Sequence, residues 1–241
     1  MEKLEIDGIK IEYNVKRSER AKRMRITIKN GLVAVILPKG AIHQQAVDFL
    51  LAKKDWVIKH VQSSCKDFNQ LPKRKYESGE SYPYRGRNYM LQIENAPINK
   101  ILIKAGVNVL IITIPYLLDI SKRPEAIKEA LLNWYKNQAR IVFKEKLDYY
   151  SEIIGVEYAS FRIKEQKTRW GSCSSKRNIN LNWKVILAPN EVIDYIIVHE
   201  LAHLSNMNHS TEFWELVAKY VPDYNSQKRW LKKNGISLSI E

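Results

Sequence analysis

Three of the five histidines in this 241-residue chain fall close together, as His199, His203 and His209. His199 and His203 are four residues apart, about one turn of an α-helix. Their imidazoles would therefore project from one helical face toward a common point where a metal ion could bind. Glu200 follows the first histidine directly and could accept a proton from a water molecule bound to that metal. The spacing therefore predicts a zinc-dependent hydrolase.

His209 is a candidate third ligand that must come from outside this helix. Five residues separate it from His203, too many for it to remain on the same helical face. The chain is expected to turn back at Asn206, because asparagine tolerates the positive φ angles found at helix ends. Three imidazoles and a water would form the open site of a catalytic zinc (Zn²⁺), whereas structural sites are closed and usually use cysteine. Cys173, the thiol nearest in sequence, is interpreted as a buried small residue rather than a ligand.

Hydrolysis also requires a donor that stabilises the oxyanion developing in the transition state. Arg169, Tyr195 and Tyr220 are candidates because they lie near the histidine motif in sequence. For Arg169 and its neighbour Trp170, a purely structural turn beside the core is an equally good interpretation.

Composition restricts the class of protein but does not choose among functions. The chain carries 40 Lys and Arg against 26 Asp and Glu, a net charge of +14. Such a charge attracts phosphates, nucleic acids or acidic partners, although the basic residues are dispersed and form no recognised nucleic-acid motif. The N-terminus has no signal-peptide pattern, and no apolar run approaches the ~20 residues of a membrane helix. With two distant cysteines, we expect a reduced cytoplasmic protein without membrane association.

Hydrophobic periodicity predicts an α+β fold in two parts. Residues 1–118 form a β-rich region with one helix, and residues 119–241 form a mainly helical domain with a small sheet. No internal repeat is evident, and Asn30–Gly31 is a two-residue hairpin signal. Strands are predicted over 9–16, 23–29, 32–37, 80–84, 88–93, 100–103, 108–114, 158–164 and 178–183. Helices are predicted over 44–64, 124–153, 189–204, 210–220 and 224–234, with a connection over 66–78.

The helix that begins near Pro189 is expected to be buried, because its apolar positions surround it as far as Leu204. It carries His199 and His203, and Ser210 is expected to cap the helix that follows His209.

The run from His199 to Trp214, with Arg169-Trp170-Gly171-Ser172-Cys173 upstream, resembles the YgjP-like metallopeptidase family, a branch of the zincins. The family pattern is His-Glu-x-x-His, then Asn-His-Ser and a Phe-Trp pair. The matching segments here are His199–His203, Asn208–Ser210 and Phe213–Trp214. The resemblance covers the whole chain. It implies a zincin-like metallopeptidase domain over 119–241, three histidine ligands and Glu200 as base. A zincin normally aligns its substrate along an edge strand beside the active helix, and the strand near Asn178–Trp183 could serve here. The family also resembles the SprT-like and WLM proteases, which share this site and act near DNA.

The leading hypothesis is a zinc metallopeptidase that acts on a peptide or protein substrate. A metal-dependent hydrolase of a phosphorylated substrate, such as a nucleotide phosphoanhydride, is an alternative. In that case Arg169 or the Lys228–Lys233 cluster would bind phosphate, although such sites more often use Mg²⁺ and carboxylates. A DNA-associated protease or nucleic-acid-binding protein is a further alternative, in which the basic surface would bind the nucleic acid.

Overall fold

The computed structural model describes residues 1–29, 31–69, 74–166 and 168–240. It confirms a mixed α+β fold. The chain divides into two compact units, Met1–Pro72 and Lys73–Glu241, and each is described by itself. Among the helices within the described ranges, none is long and apolar enough to cross a membrane.

The first unit contains a four-stranded sheet and two helices. The sheet order is β1-β2-β4-β3, with β2 and β4 parallel and the outer pairs antiparallel. Alternate residues of the central strands, such as Tyr13, Val33 and Val35, are buried together with Leu50 and Val57 of the helices. The elements are β1 (Glu2–Ile6), β2 (Ile9–Ser18), β3 (Arg25–Lys29), β4 (Leu32–Pro38), α1 (His43–Ala52) and α2 (Lys54–Asn69).

Two features of this unit differ from the sequence prediction. Strand β1 was not predicted, and the single helix expected over 44–64 is divided at Lys53, whose N–H donates to the carbonyls at the end of α1. Residue Asn30 of the predicted hairpin turn lies outside the described residues. Strands β3 and β4 nevertheless pair antiparallel with Lys29 opposite Leu32, the register of a two-residue hairpin. The predicted connection over 66–78 includes the end of α2 and residues 70–73, which also lie outside the described ranges.

The second unit begins with a sheet that repeats the topology of the first. Its order is β5-β6-β8-β7, again with parallel central strands. Both sheets start with a hairpin whose turn residues have positive φ, at 48° and 78° for Asp7 and Gly8 and at 50° and 76° for Arg85 and Gly86. The fold thus contains a topological repeat that was not evident from the sequence. The strands are β5 (Ser81–Tyr84), β6 (Arg87–Ala96), β7 (Leu102–Ala105) and β8 (Val109–Pro115).

This second sheet belongs to the same core as the helices that follow it. Side chains of the sheet such as Leu110 and Ile112 form one buried cluster with Leu131 and Phe143 of α3 (Arg123–Ile154). The two units therefore divide near residue 72, whereas the sequence placed the boundary at 118. Composition alone does not distinguish two successive β-rich segments that enter different cores.

The remaining elements of the second unit surround one buried helix. A three-stranded sheet of order β10-β11-β9 and three further helices follow α3. Strand β10 was not predicted, whereas the predicted strands over 158–164 and 178–183 correspond to β9 and β11. These elements are β9 (Ser160–Lys164), β10 (Gly171–Cys173), β11 (Asn178–Asn182), α4 (Asn190–Ala202), α5 (Thr211–Tyr220) and α6 (Tyr224–Asn234).

The hairpin turn between β5 and β6 holds the start of α4. The N–H groups of Arg85 and Gly86 donate to the carbonyls of Ile186 and Leu187 at 2.9 and 3.2 Å. A Cβ atom at Gly86 would lie 2.7 Å from Cα of Pro189, so the contact excludes any side chain there. Glycine is required at this turn both for its positive φ and for the close approach.

Two side-chain interactions fix α4 further. Nε of Arg85 donates to Oδ1 of Asn190 at 2.9 Å, in the first turn of α4. The ammonium group of Lys146 on α3 binds Asp194 of α4, and both side chains are largely buried. Helix α4 is therefore held at its start and along one side by the sheet and by α3.

The carboxylate of Glu80 binds the segment that leads into the second sheet, and its ionisation makes the stability of the fold depend on pH. Its oxygens accept hydrogen bonds from the N–H groups of Lys75 and Tyr76 and from the hydroxyl of Tyr82, at 2.6, 3.0 and 2.8 Å. Burial opposes ionisation, but these hydrogen bonds outweigh it and lower the pKa of Glu80. The charged form is therefore the one that stabilises the fold.

We expect Glu80→Gln to lower the free energy of unfolding by about 1–2 kcal/mol at pH 7, because charge-assisted hydrogen bonds are lost. The pKa of Glu80 is lower in the folded protein than in the unfolded chain, where it is about 4.3, so the carboxylate stabilises the fold at pH values above about 4.3. This contribution to stability disappears as the pH falls through the pKa of the folded state. The difference between the two proteins, measured by urea unfolding, should shrink between pH 7 and pH 3.5. Exposed Glu77→Gln is the control, and an equal loss at both pH values would contradict the prediction.

Candidate active site

The histidine motif occupies the end of α4 and the turn that follows. His199 and Glu200 lie in the last turn of the helix, and His203 is its C-cap residue. The N–H of Asn206 donates to the carbonyl of Ala202 at 2.9 Å as the chain leaves the helix. Asn206 does not adopt the positive φ that was predicted. Its backbone carbonyl instead lies 3.1 Å from Nδ1 of His203, so the turn orients this imidazole.

The three histidines converge as the sequence predicted. One potential ligand atom from each of His199, His203 and His209 lies within 4.8 Å of the others. Nε2 of His199 and Nε2 of His209 are 3.3 Å apart. Two nitrogens that bind one tetrahedral zinc at 2.0–2.1 Å would be separated by about 3.3–3.4 Å. The group therefore has both the donor atoms and the spacing to hold a metal ion.

Aromatic residues of α5 support this group. The buried ring of Phe213 lies 5.0, 4.7 and 4.8 Å, centroid to centroid, from the rings of His199, His203 and His209. Trp214 stacks on His209 with a centroid separation of 5.6 Å and an interplanar angle of 25°. Ser210 is the N-cap residue of α5 as predicted, without a side-chain capping bond. The Phe-Trp pair thus restricts the orientation of the imidazoles.

Burial favours the neutral form of His199 and of His203. Desolvation, followed by the nearby His203, His209 and Lys228, lowers the pKa of His199 to about 3. The pKa of His203 is also lowered, mainly by burial, and the hydrogen bond to Asn206 acts in the opposite direction. Neutral imidazole is the form that binds metals.

Glu200 is one of the few buried polar side chains in the described part of the chain, with 5% of its surface exposed. Burial raises the pKa of its carboxyl to about 8, and the positive charge of Arg169 opposes that shift. Oε2 of Glu200 and Nδ1 of His199 are buried and have no hydrogen-bond partner among the described residues. Such unpartnered polar atoms in a folded protein call for a group that binds them.

Strand β10 runs directly against this carboxyl group. A Cβ atom placed on Gly171 would come within 2.7 Å of Cδ of Glu200 and even closer to one of its oxygens. Glycine is therefore the residue that permits the strand to approach. The sequence showed Gly171 within the Arg169–Cys173 segment but gave no sign of this contact.

The three candidate oxyanion donors have different surroundings. Arg169 is exposed, and its charge acts on Glu200. Tyr195 is buried, with its ring edge-on to His199 at 5.8 Å, and burial raises its pKa to about 12. The hydroxyl of Tyr220 donates its proton to the carbonyl of Ile153 at 2.9 Å, so this proton does not point toward the histidine group.

Two further expectations concern residues around Glu200. Cys173 is partly buried, and burial, with Glu200 nearby, raises the pKa of its thiol to about 11. It does not join the three-histidine group in the described residues.

Strand β11, predicted to be an edge strand that aligns a substrate, lies between β10 and β9, so that prediction was wrong. The edge strand beside Glu200 is β10.

Asn182, at the end of β11, holds the loop that leads into β10. Its side chain is 3% exposed, and Nδ2 donates to the carbonyls of Gln166 and Arg169 at 2.8 and 3.3 Å. Its own N–H donates to the carbonyl of Trp170 at 2.8 Å. Sequence reasoning missed this residue because a polar position at a strand end usually indicates exposure. It positions both Arg169 and the strand that contacts Glu200.

The helix with the His-Glu-x-x-His sequence and the third histidine lie together within one unit of mixed α+β structure, a combination typical of metallopeptidases. The model of the YgjP-like metallopeptidase domain matches residues 22–234. The chain therefore belongs to the YgjP-like family of metallopeptidases, as the motif residues indicated.

Two solved structures are similar to parts of this chain. The metallopeptidase zymogen abylysin of Pyrococcus abyssi is 27% identical, with a TM-score of 0.33, over 38% of this chain and 93% of that protein. The metallopeptidase zymogen jannalysin of Methanocaldococcus jannaschii is 23% identical, with a TM-score of 0.36, over 38% of this chain and 95% of that protein. No curated protein matches the chain.

Replacement of Asn182 tests its role in the loop. We expect Asn182→Ala to lower the free energy of unfolding by about 2–3 kcal/mol, because the carbonyls of Gln166 and Arg169 lose their donor and a buried side chain is truncated. Amide hydrogen exchange over residues 166–173 should accelerate more than in the rest of the second unit. Asn180→Ala is the matched control, since the only side-chain hydrogen bond of Asn180 among the described residues is the one to the hydroxyl of Ser172. Equal effects of the two substitutions would show that Asn182 has no special role.

Proposed function

We propose that this protein is a zinc metallopeptidase in which His199, His203 and His209 hold the metal and Glu200 is the general base. The observation that carries the proposal is the convergence of three imidazoles beside a buried carboxyl oxygen that has no hydrogen-bond partner among the described residues. Histidine nitrogens favour zinc over the harder ions Mg²⁺ and Ca²⁺, which prefer oxygen ligands.

A bound zinc ion would supply a water molecule of lowered pKa and would polarise the substrate carbonyl. Glu200 adjoins His199, and its carboxyl group, which the charge of a bound zinc would keep ionised, would accept the proton of a water molecule that attacks the peptide carbonyl carbon. The carboxyl group would then deliver this proton to the amine nitrogen as the C–N bond breaks. Its buried position beside Gly171 restricts its rotation and keeps bulk water from competing for the proton.

The edge strand β10 supplies a place for an extended peptide. Its partner β11 occupies one side, so its other edge can pair with a substrate strand that passes beside Glu200. Arg169 precedes this strand and is the preferred candidate for the oxyanion donor, with Tyr195 as a second candidate. Tyr220 is left out, because its hydroxyl proton is already bonded.

A phosphorylated substrate is the second candidate function, and one arrangement favours it. Nζ of Lys228 lies 4.7 Å from the ring centroid of Trp214, which stacks on His209, and its charge acts on His199. With Arg169 near Glu200, two cations flank the site. Such a pair would attract an anionic substrate group such as a phosphate.

Replacement of the base tests the proposal. We expect Glu200→Gln to retain zinc at the stoichiometry of the unmodified protein but to lose at least about a hundredfold in peptide hydrolysis, because the water proton has no acceptor. Zinc is measured by elemental mass spectrometry and hydrolysis with a peptide library alongside a nucleotide panel. His203→Ala is the companion variant and should lose the metal. Cleavage confined to nucleotides would favour the second candidate, and full peptidase activity in Glu200→Gln would exclude Glu200 as the base.

Substitution of Gly171 tests the contact between β10 and the base. We expect Gly171→Ala to displace the Glu200 carboxyl and to reduce kcat about tenfold or more, since small misplacements of catalytic groups are costly. Zinc content should be unchanged, because the three atoms nearest this Cβ position all belong to Glu200 and none to a histidine. The adjacent Ser172→Ala is the control. Undiminished turnover in Gly171→Ala would refute the proposed packing of strand and base.

A further inference from the structure

A cationic cleft lies on the second unit between α3 and β9. Its volume is about 470 Å³. Four of its six lining residues are cations, and no acidic residue lines it. The lining residues are Arg140, Lys144, Phe161, Arg162, Ile163 and Lys164.

Strand β9 is the open edge of its sheet. It pairs with β11 on one side, in parallel register from Ser160 opposite Asn178 to Lys164 opposite Asn182. Alternate residues of a strand direct their N–H and C=O groups to the opposite edge. No backbone group of residues 161–164 has a further hydrogen-bond partner among the described residues. The cleft therefore presents unpaired backbone donors and acceptors as well as charge.

The cations occupy both walls of this cleft. Arg162 and Lys164 are exposed on β9, and neither forms an ion pair within the described ranges. Arg140 and Lys144 are exposed on α3, one helical turn apart, and Lys144 pairs with Asp148 outside the lining. Cations on an edge strand are common, because they prevent the strand from pairing with another chain. The cations of α3 that face this strand are not needed for that purpose.

The aromatic residue of the cleft argues against a nucleic acid. Phe161 and Ile163 are partly buried and pack against the hydrophobic core of the unit. A site for single-stranded nucleic acid needs exposed rings on which bases stack. An acidic polypeptide needs only a free strand edge and cations, and both are present.

We propose that this cleft binds an extended acidic peptide segment, which adds to the free edge of β9 and directs its carboxylates to the four cations. Main-chain hydrogen bonds supply affinity in such strand addition, and the charges supply selectivity. Strands β9 and β10 are opposite edges of one sheet, about 10 Å apart at the usual strand spacing. The docking site is thus separate from the histidine group and does not depend on the proposed zinc chemistry.

Fluorescence anisotropy with a labelled ten-residue peptide of alternating Glu and Thr tests the proposal on the full chain. We expect Arg162→Glu/Lys164→Glu to weaken binding at least about tenfold, since two attractive interactions become repulsive. The control Lys100→Glu/Lys104→Glu makes the same charge change at exposed residues outside the cleft and should weaken binding less than threefold. Circular dichroism verifies that both variants fold.

Backbone pairing is tested with the same peptide methylated at alternate backbone nitrogens. Methylation of the set of nitrogens that faces β9 should abolish binding, whereas methylation of the other set should leave it intact. An oligonucleotide of equal charge serves as the competing ligand. Any one of three results would overturn the proposal. The two charge-reversed variants could weaken binding equally, or binding could remain unchanged whichever set of nitrogens is methylated. The oligonucleotide could also bind the cleft more tightly than the peptide does.

Discussion

The positions of the residues around the histidine motif depend on the burial of α4. Nine of the thirteen residues of this helix are buried, and Glu200 is among them. A carboxyl group and an imidazole are expensive to remove from water, so a structure that buries both must fix them closely and supply what they bind. Oε2 of Glu200, which has no partner in the described part of the chain, and the lowered pKa of His199 are two results of this single constraint.

The supports of α4 come from elements far apart in sequence. The Arg85–Gly86 turn holds its start, Lys146 holds its side through Asp194, and Gly171 abuts its final turn. The second sheet carries no candidate catalytic residue, but it helps to hold the helix on which the candidate site lies. Phe213 of α5 adds a further support, since it contacts all three imidazoles.

The sequence was informative where one local pattern determines the outcome. The spacing of His199, His203 and His209 and the apolar periodicity of α4 were enough to predict the convergent group, because helical geometry places residues four apart on one face. The contacts of Gly86 and Gly171 could not be predicted, since each depends on which distant element approaches that glycine. Asn182 was missed for a related reason: its hydrogen bonds go to a loop rather than along its strand. The open edge of the β9 sheet likewise depends on strand order, which periodicity does not reveal.

The repeated sheet carries a consequence for how each copy can vary. Its two hairpin turns have nearly the same backbone angles, yet their glycines face different surroundings. At Gly8, no described atom lies within 4 Å of an added Cβ, so only the positive φ restricts the residue type, and asparagine could adopt it. At Gly86, Pro189 occupies that space and excludes every side chain. The same turn geometry thus admits more than one residue type in the first unit but only glycine in the second, where the turn packs against the start of α4.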